Sequence, residues 1–308
     1  MAIACGGGRD NGAMALVAFV VNRTLLRDPR RFLERCRAAA EARGWAPWFG
    51  PADAAEDSRA LARHAVTAGA SLVFAAGGDG TVRACAEALA GSGVPMAIVP
   101  LGTANLTARA LGVPARSDRA VEAGFGGRDR TIDLARVEGA GGTWFAAMAG
   151  IGLDAAVVAA AGDQLKRRFG WAAYAAAGLR KLATTPHEFT VCLDDADPLR
   201  RRARSVVVAN AGLLPGGFTL LPRARLDDGL LDVGILAPSG TWDWIRLAGR
   251  VLARDRRQDP ALQRLQARRV RISADAALPR QIDGEIVPPS RALSVCVCPG
   301  TLLVRLPG

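Results

Sequence analysis

The stretch Ala75-Ala76-Gly77-Gly78-Asp79-Gly80-Thr81 constrains the fold more than any other part of the chain. Residues 70–76 form an apolar run that reads as a buried strand, and Val82, Ala86, Leu89 and Ala90 fall at helical spacing. The glycines therefore sit in a strand-to-helix turn. Three glycines remove the Cβ atoms that would hold an anion off the backbone, and the first N–H groups of the following helix lack intrahelical partners. A phosphate supplies the missing acceptors. Asp79 is out of place in a bare anion cradle unless it handles a divalent metal or a proton, which points to phosphoryl transfer. A tight turn with no ligand is the alternative for a glycine cluster taken alone.

Upstream, residues 13–21 include the continuous apolar run Leu16-Val17-Ala18-Phe19-Val20-Val21, which suits a strand covered on both faces and ending at Asn22. A helix is predicted from 28 or 29 to 43, with Phe32, Leu33, Cys36 and Ala40 on one face and Gly44 closing it. Another is predicted over 57–68, closed by Gly69, and His64 on it reads as a surface or packing residue rather than a catalyst. Residues 94–100 form a further strand that delivers Pro100-Leu101-Gly102-Thr103-Ala104-Asn105 into the helical pattern of Leu106, Ala110 and Leu111. The β-α-β-α-β alternation predicts a parallel sheet covered by helices, with ligands at the carboxyl ends of its strands. The second turn then opens beside the first. Thr103 and Asn105 suit phosphate or ribose oxygens, or equally a helix cap.

At 308 residues and 50% hydrophobic composition, the chain is long enough for two domains. Its formal net charge is +11, nearly all from arginine, since Lys166 and Lys181 are the only lysines. Such a charge attracts nucleotide, nucleic acid or an anionic membrane, although a coding bias toward arginine gives the same count. The six cysteines show no Cys-x-x-Cys pair, so zinc is disfavoured and a reducing compartment is the simpler expectation. The segment before Met14 is not a secretory signal, and the apolar stretch 144–162 is interrupted by Gly150, Gly152 and Asp154, reading as strand, turn and helix rather than a membrane span.

Gly77-Gly78-Asp79-Gly80-Thr81, Pro100-Leu101-Gly102-Thr103-Ala104-Asn105 and Ala108-Arg109-Ala110-Leu111-Gly112-Val113-Pro114 together resemble the diacylglycerol kinase catalytic-domain family of lipid kinases. Thr131-Ile132-Asp133-Leu134, Ala149-Gly150-Ile151-Gly152-Leu153-Asp154, Lys166-Arg167-Arg168-Phe169-Gly170 and Asn210-Ala211-Gly212 match in order. Leu226-Asp227-Asp228-Gly229-Leu230-Leu231-Asp232 and Ile282-Asp283-Gly284-Glu285 complete a resemblance that covers nearly everything after about residue 14. The first motif is shared with NAD kinases and says little about substrate, whereas the last two are more telling.

The resemblance implies an α/β protein: a three-layer, NAD kinase-like nucleotide-binding domain over 1–134, then a β-rich sandwich over 135–299, with the active site between them. The tail 300–308 is implied to return to the first domain. Strands are expected at 205–209, 230–236, 270–273 and 293–297 from their β-branched content. ATP is implied at Gly77, Gly78, Asp79, Gly80, Thr81, Gly102, Thr103 and Asn105, with Asn22 near the nucleotide. Magnesium is implied to bridge the phosphates, with Asp79 acting through the metal and Asp133 joining that acidic network. Asp228, with backbone oxygens near Arg225 and Leu230, is implied as a second magnesium site; a plain hairpin turn at 227–229 is the alternative. Glu285 is implied as the general base, supported by Asp283, and acids at i and i+2 of an extended chain share one side. A solvated acidic turn is the alternative there.

Three places depart from the family pattern: Asn22-Arg23-Thr24-Leu25-Leu26 replaces Asn-Pro-x-Ser-Gly, Leu106 replaces an aspartate, and Arg83-Ala84 replaces Asn-Glu. A lipid kinase must meet its substrate at a bilayer, so peripheral contact with an anionic inner membrane face and an otherwise cytoplasmic location are expected. The candidate contacts are residues 166–181 and the group Trp242, Trp244, Arg246, Arg250 and Arg254, although either could be an ordinary packed helix. Arg200, Arg201, Arg202 and Arg204 lack interleaved aromatics and read as a solvated hairpin tip, so no nucleic-acid partner is expected. A homodimer is allowed but not required. An NAD kinase, or a non-catalytic nucleotide- or lipid-binding regulator, are the competing functions.

Overall fold

The computed structural model describes residues 14–139, 142–152, 185–214, 218–253, 257 and 259–308. The first half is built on β1 (Ala15–Asn22), α1 (Pro29–Glu41), β2 (Trp45–Ala52), α2 (Ala55–Thr67), β3 (Leu72–Gly77), α3 (Asp79–Leu89), β4 (Met96–Pro100), α4 (Leu106–Ala110) and α5 (Ser117–Gly126). The strands pair in parallel in the order β2-β1-β3-β4. Alternate residues of one strand serve opposite faces. Val17, Phe19 and Val21 pack with α1 and α5, while Ala18 and Val20 pack with α2 and α3. The rings of Phe19 and Phe74 stack with centroids 4.6 Å apart, and burying each such side chain stabilises the fold by about 2–3 kcal/mol.

β2 does not appear in the sequence reading. Pro47, Gly50 and Pro51 break the alternation that marks a strand, yet β2 is an edge strand that among the described residues pairs only with β1, where proline is tolerated.

β5 (Arg128–Val137) leads out of this sheet. The second half adds β6 (Trp144–Phe145), β7 (Met148–Ile151), β8 (His187–Leu193), β9 (Leu199–Ala203), β10 (Ser205–Ala209), β11 (Leu213–Leu214), β12 (Phe218–Thr219), β13 (Leu231–Leu236), α6 (Thr241–Leu252), β14 (Leu262–Ala267), β15 (Arg269–Ile282) and β16 (Glu285–Leu306). The strands pair antiparallel around a second core that includes Phe145, Ile151, Phe189, Val206, Val233, Val270 and Val295. β16 pairs first with β15, then with β5, and finally sets Val304 beside Met96 of β4. Hydrogen-bonded strands thus run without interruption from one half to the other. Residues 301–306 belong to β16.

Two sequence expectations change here. Arg200, Arg201 and Arg202 lie along the edge strand β9 opposite Thr190, Phe189 and Glu188, and not at a hairpin tip. Charge on an edge strand blocks pairing with other chains. The turn at 227–229 is not a hairpin, because only β13 follows it and Leu226 gives its carbonyl to the N–H of Asp133. Residues 166–181 and Arg254 lie outside the described residues. On α6, Arg246 and Arg250 pair with buried Asp259, and Trp244 packs on the core, leaving Trp242 81% exposed. Among the described residues no helix is long and apolar enough to cross a membrane.

Candidate active site

The two glycine turns stand side by side because parallel pairing of β3 with β4 brings Gly77 opposite Pro100. The N–H of Leu101 donates to the Gly77 carbonyl at 2.9 Å. A Cβ on Gly102 would lie 2.7 Å from Gly78 Cα, and one on Gly77 would lie 2.4 Å from Thr81 Oγ1. Glycine here is a packing requirement. Asn105 has φ 46° at the start of α4, where asparagine is one of the few non-glycine residues tolerated. Its Oδ1 accepts from Gly102 N–H at 3.1 Å and its Nδ2 donates to the Gly102 carbonyl at 2.6 Å, so the amide closes its own turn. Thr103 between them is exposed.

Asp79 begins α3, and its Oδ1 accepts from the N–H of Leu106 at 2.6 Å, tying the first turn to the helix that follows the second. Burial pushes its carboxyl above the usual range, against the backbone hydrogen bonds from α4. Asn22, at the end of β1, accepts from Thr24 N–H at 3.1 Å and sets its Nδ2 3.5 Å from Thr81 Oγ1. Arg23, in the altered loop, pairs with Asp53 at 2.8 Å, and Leu25 lies beside Gly78.

Glu285 comes to this edge from the other half of the chain. Its Oε1 lies 2.5 Å from the position a Cβ on Gly80 would take. Its Oε2 accepts from Arg83 Nη2, while Arg83 Nη1 donates to the Ile282 carbonyl at 3.2 Å. The backbone corrects the expectation that Asp283 and Glu285 share one side of an extended strand. Ile282 pairs with Glu285 across a two-residue turn in which Asp283 has φ 46° and Gly284 φ 83°, the left-handed pair that tight hairpins use. The turn sends the acids opposite ways. Asp283 is buried and accepts from the N–H groups of Ala146 at 3.1 Å, Ala147 at 2.9 Å and Met148 at 2.9 Å. Burial pushes its carboxyl up to about 6, with those three donors opposing. Asp283 thus anchors the hairpin, and Glu285 projects from it.

Asp133 is also buried, accepting from Gly229 N–H at 2.7 Å and Gly300 N–H at 2.8 Å. Its carboxylate joins β5 to the turn before β13 and to β16, and no hydrogen bond among the described residues links it to Asp79. In that turn Asp228 accepts from Leu230 N–H at 3.1 Å, while Asp227 is held by Arg130 and Arg225. Arg225, Asp228 and Leu230 therefore lie together, but no hydrogen bond among the described residues connects them to the glycine turns. A cavity of about 370 Å³ lies near them, lined by Leu111 at the far end of α4 with Arg130, Leu221, Arg225 and Asp227. None of its lining residues belongs to the two turns. Among the described residues no three histidine, cysteine or acidic side chains gather around one point.

Sequence reasoning missed Arg83 as a partner of Glu285 and the amides of 146–148 as the seat of Asp283. Arg83 lies one helical turn beyond Gly80, so its facing Gly80's neighbourhood was readable; its partner, 202 residues away, was not.

The comparisons with known proteins agree with this architecture. Residues 17–137 match the diacylglycerol kinase catalytic domain, and residues 147–306 match the YegS C-terminal NAD kinase beta sandwich-like domain. A "Probable lipid kinase YegS-like" of Pseudomonas fluorescens is 35% identical over 280 residues, covering 89% of this chain and 91% of the relative. A crystal structure of a diacylglycerol kinase from Bacillus anthracis superposes with a TM-score of 0.73 at 18% identity, over 95% of this chain and 97% of that one. An NAD kinase from Archaeoglobus fulgidus in complex with ATP gives a TM-score of 0.52 at 11% identity, over 94% and 92% of the two chains. The chain belongs to the lipid kinase family that joins a diacylglycerol kinase catalytic domain to a YegS-type C-terminal β-sandwich.

Proposed function

We propose that the protein transfers the γ-phosphoryl group of ATP to the hydroxyl of a lipid alcohol of the diacylglycerol class. The observation that carries this reading is Glu285, a carboxylate from the second half set against Gly80 at the first of two adjoining glycine turns. A phosphate cradle alone binds a nucleotide; a base beside it gives the nucleotide something to react with. The turns suit the triphosphate, because glycine lets Gly102 lie against Gly78 so that the two turns form one edge, with exposed Thr103 at its rim. Asn22 and Thr81 border the same edge.

Magnesium fits as an ion that arrives with the phosphates, the usual manner for a cation that keeps much of its water and takes one or two protein carboxylates. Asp79 is the carboxylate at the cradle. Bound there, magnesium would neutralise charge on the β- and γ-phosphates. The turn holding Arg225, Asp228 and Leu230 offers one carboxylate and backbone oxygens for a second ion of structural kind. In the transfer itself, Glu285 removes the proton of the acceptor hydroxyl as its oxygen attacks the γ-phosphorus. Asp283 holds the hairpin that aims Glu285. The acceptor reaches this site from a bilayer, and exposed Trp242 on α6 is one contact for the interface.

Labelled ATP offered with dispersed diacylglycerol, a lipid extract and NAD tests the reading. Labelled phospholipid is expected, with Glu285→Gln lowering the rate by about 10²–10⁴-fold. Label in NADP, or in neither product, would end the proposal.

A further inference from the structure

We infer that Arg83 is a positioning residue for the transfer: it holds the Glu285 carboxylate against Gly80, aimed for the acceptor's proton, and keeps the strand that carries it in place. This deepens the proposed kinase reading and rests on it. Arg83 stands on α3, which begins at the first glycine turn, and its guanidinium reaches across to the second half at two points. One N–H group donates to the Glu285 carboxylate and another to the Ile282 carbonyl at 3.2 Å. The arginine grips both the base and the strand that presents it. Its side chain is 11% exposed, whereas that of Glu285 is 49% exposed. The fixed member of the pair is therefore the arginine, and the member open to an incoming molecule is the carboxylate.

A stabilising role alone explains this poorly, because an ion pair with one half-exposed partner contributes little. The charges facing Arg83 fit that holding role. Glu285 contacts it directly, and its positive charge acts on the buried Asp283 carboxyl. When the acceptor O–H bond breaks, its proton passes to the Glu285 carboxylate and its electron pair forms the new O–P bond. The bond between the γ-phosphorus and the β–γ bridging oxygen breaks, and that electron pair leaves on ADP. Up to that transfer the Arg83 guanidinium holds the carboxylate's aim, since its planar fork of N–H groups matches carboxylate oxygens.

The test uses the full chain carrying Arg83→Met or Arg83→Lys, each alone and combined with Glu285→Gln, assayed on whichever lipid the wild-type protein phosphorylates. Arg83→Met is expected to lower kcat by about 10²-fold, the scale of a reacting group misplaced by about 1 Å. KM for ATP should stay within about threefold and the thermal midpoint close to that of the wild type. Arg83→Lys should recover part of the loss. In the Glu285→Gln background, Arg83→Met should cost less than about threefold, because residues acting as a unit are not additive. Unchanged kcat in Arg83→Met, or a full and independent loss in the double variant, would overturn the inference. Should the wild-type protein phosphorylate no lipid, the kinase reading fails first, and amide hydrogen exchange still decides the clamp. Exchange at Gly284, Glu285 and Ile286 is expected to quicken in Arg83→Met, and exchange identical to wild type would refute the clamp.

Discussion

Replacing Gly80 by alanine separates stability from activity. Gly80 is the second residue of α3, with an ordinary negative φ, so alanine relieves the entropic cost of glycine in a helix. That gain is about 0.5–1 kcal/mol, or about 1–3 °C in thermal midpoint for a chain of this size. The added Cβ meets Glu285 Oε1 at 2.5 Å, whereas ordinary contact begins at 3.4 Å, so the carboxylate must retreat by about 0.9 Å. The obstacle is the end of a flexible side chain and not backbone, so the fold absorbs the change. The chemistry does not, because displacing a reacting group by about 1 Å costs on the order of 10²-fold in rate. Parallel measurements of thermal midpoint and of label transfer from ATP to lipid check both halves. Full activity with unchanged KM would refute the placement of Glu285 at the reacting centre. A fall in midpoint would show that the new methyl group meets something rigid.

Further changes follow from the same geometry. Gly102→Ala drives a Cβ to 2.7 Å from Gly78 Cα, backbone that cannot swing away, so the hydrogen bond from Leu101 to Gly77 should break. A stability loss of about 1–3 kcal/mol in urea unfolding is expected, together with ATP affinity at least about tenfold weaker by titration calorimetry. Asp133→Ala strands the N–H groups of Gly229 and Gly300 and should cost about 2–4 kcal/mol by the same unfolding assay. Asp283 gives a pH signature. Burial lifts its folded-state pKa to about 6, so the native state holds the proton more tightly than the unfolded state does. The stability it contributes is complete below about pH 4 and is lost as pH rises through about 6, by roughly 2–3 kcal/mol in all. Urea unfolding of the wild type and Asp283→Asn across that range should diverge by this amount, and parallel curves would refute the assignment.

The two glycine turns were legible because strand, turn and helix are local events, each announced by residues within about ten positions. Gly77 to Thr81 and Gly102 to Asn105 stand where their spacing placed them, at the ends of β3 and β4. β2 was illegible for a local reason too, since Pro47 and Pro51 carry the signature of a loop and only its edge position excuses them. The direction of Asp283 was hidden differently. Two acids with one residue between them read as partners on an extended chain, and only the left-handed turn at Asp283 and Gly284 parts them. Arg83 stood out in the sequence as a departure without a purpose. Its purpose depends on contact with Glu285, and nothing in a single sequence reports contacts of that span.

β5 and β16 together set how the halves can move. They lie antiparallel from Val137 opposite Val295 to Arg128 opposite Leu306, and both pass through the junction side by side, their pairing interrupted once by an irregularity between Cys298 and Leu302. Enzymes that swing shut like a book do so on a slack spine, where a few residues absorb the rotation. Here the spine is a splint. Any gathering of the halves around a substrate has to be expressed as torsion of this double ribbon, whose end at Leu306 packs into the core of the first half while β16 starts at Glu285.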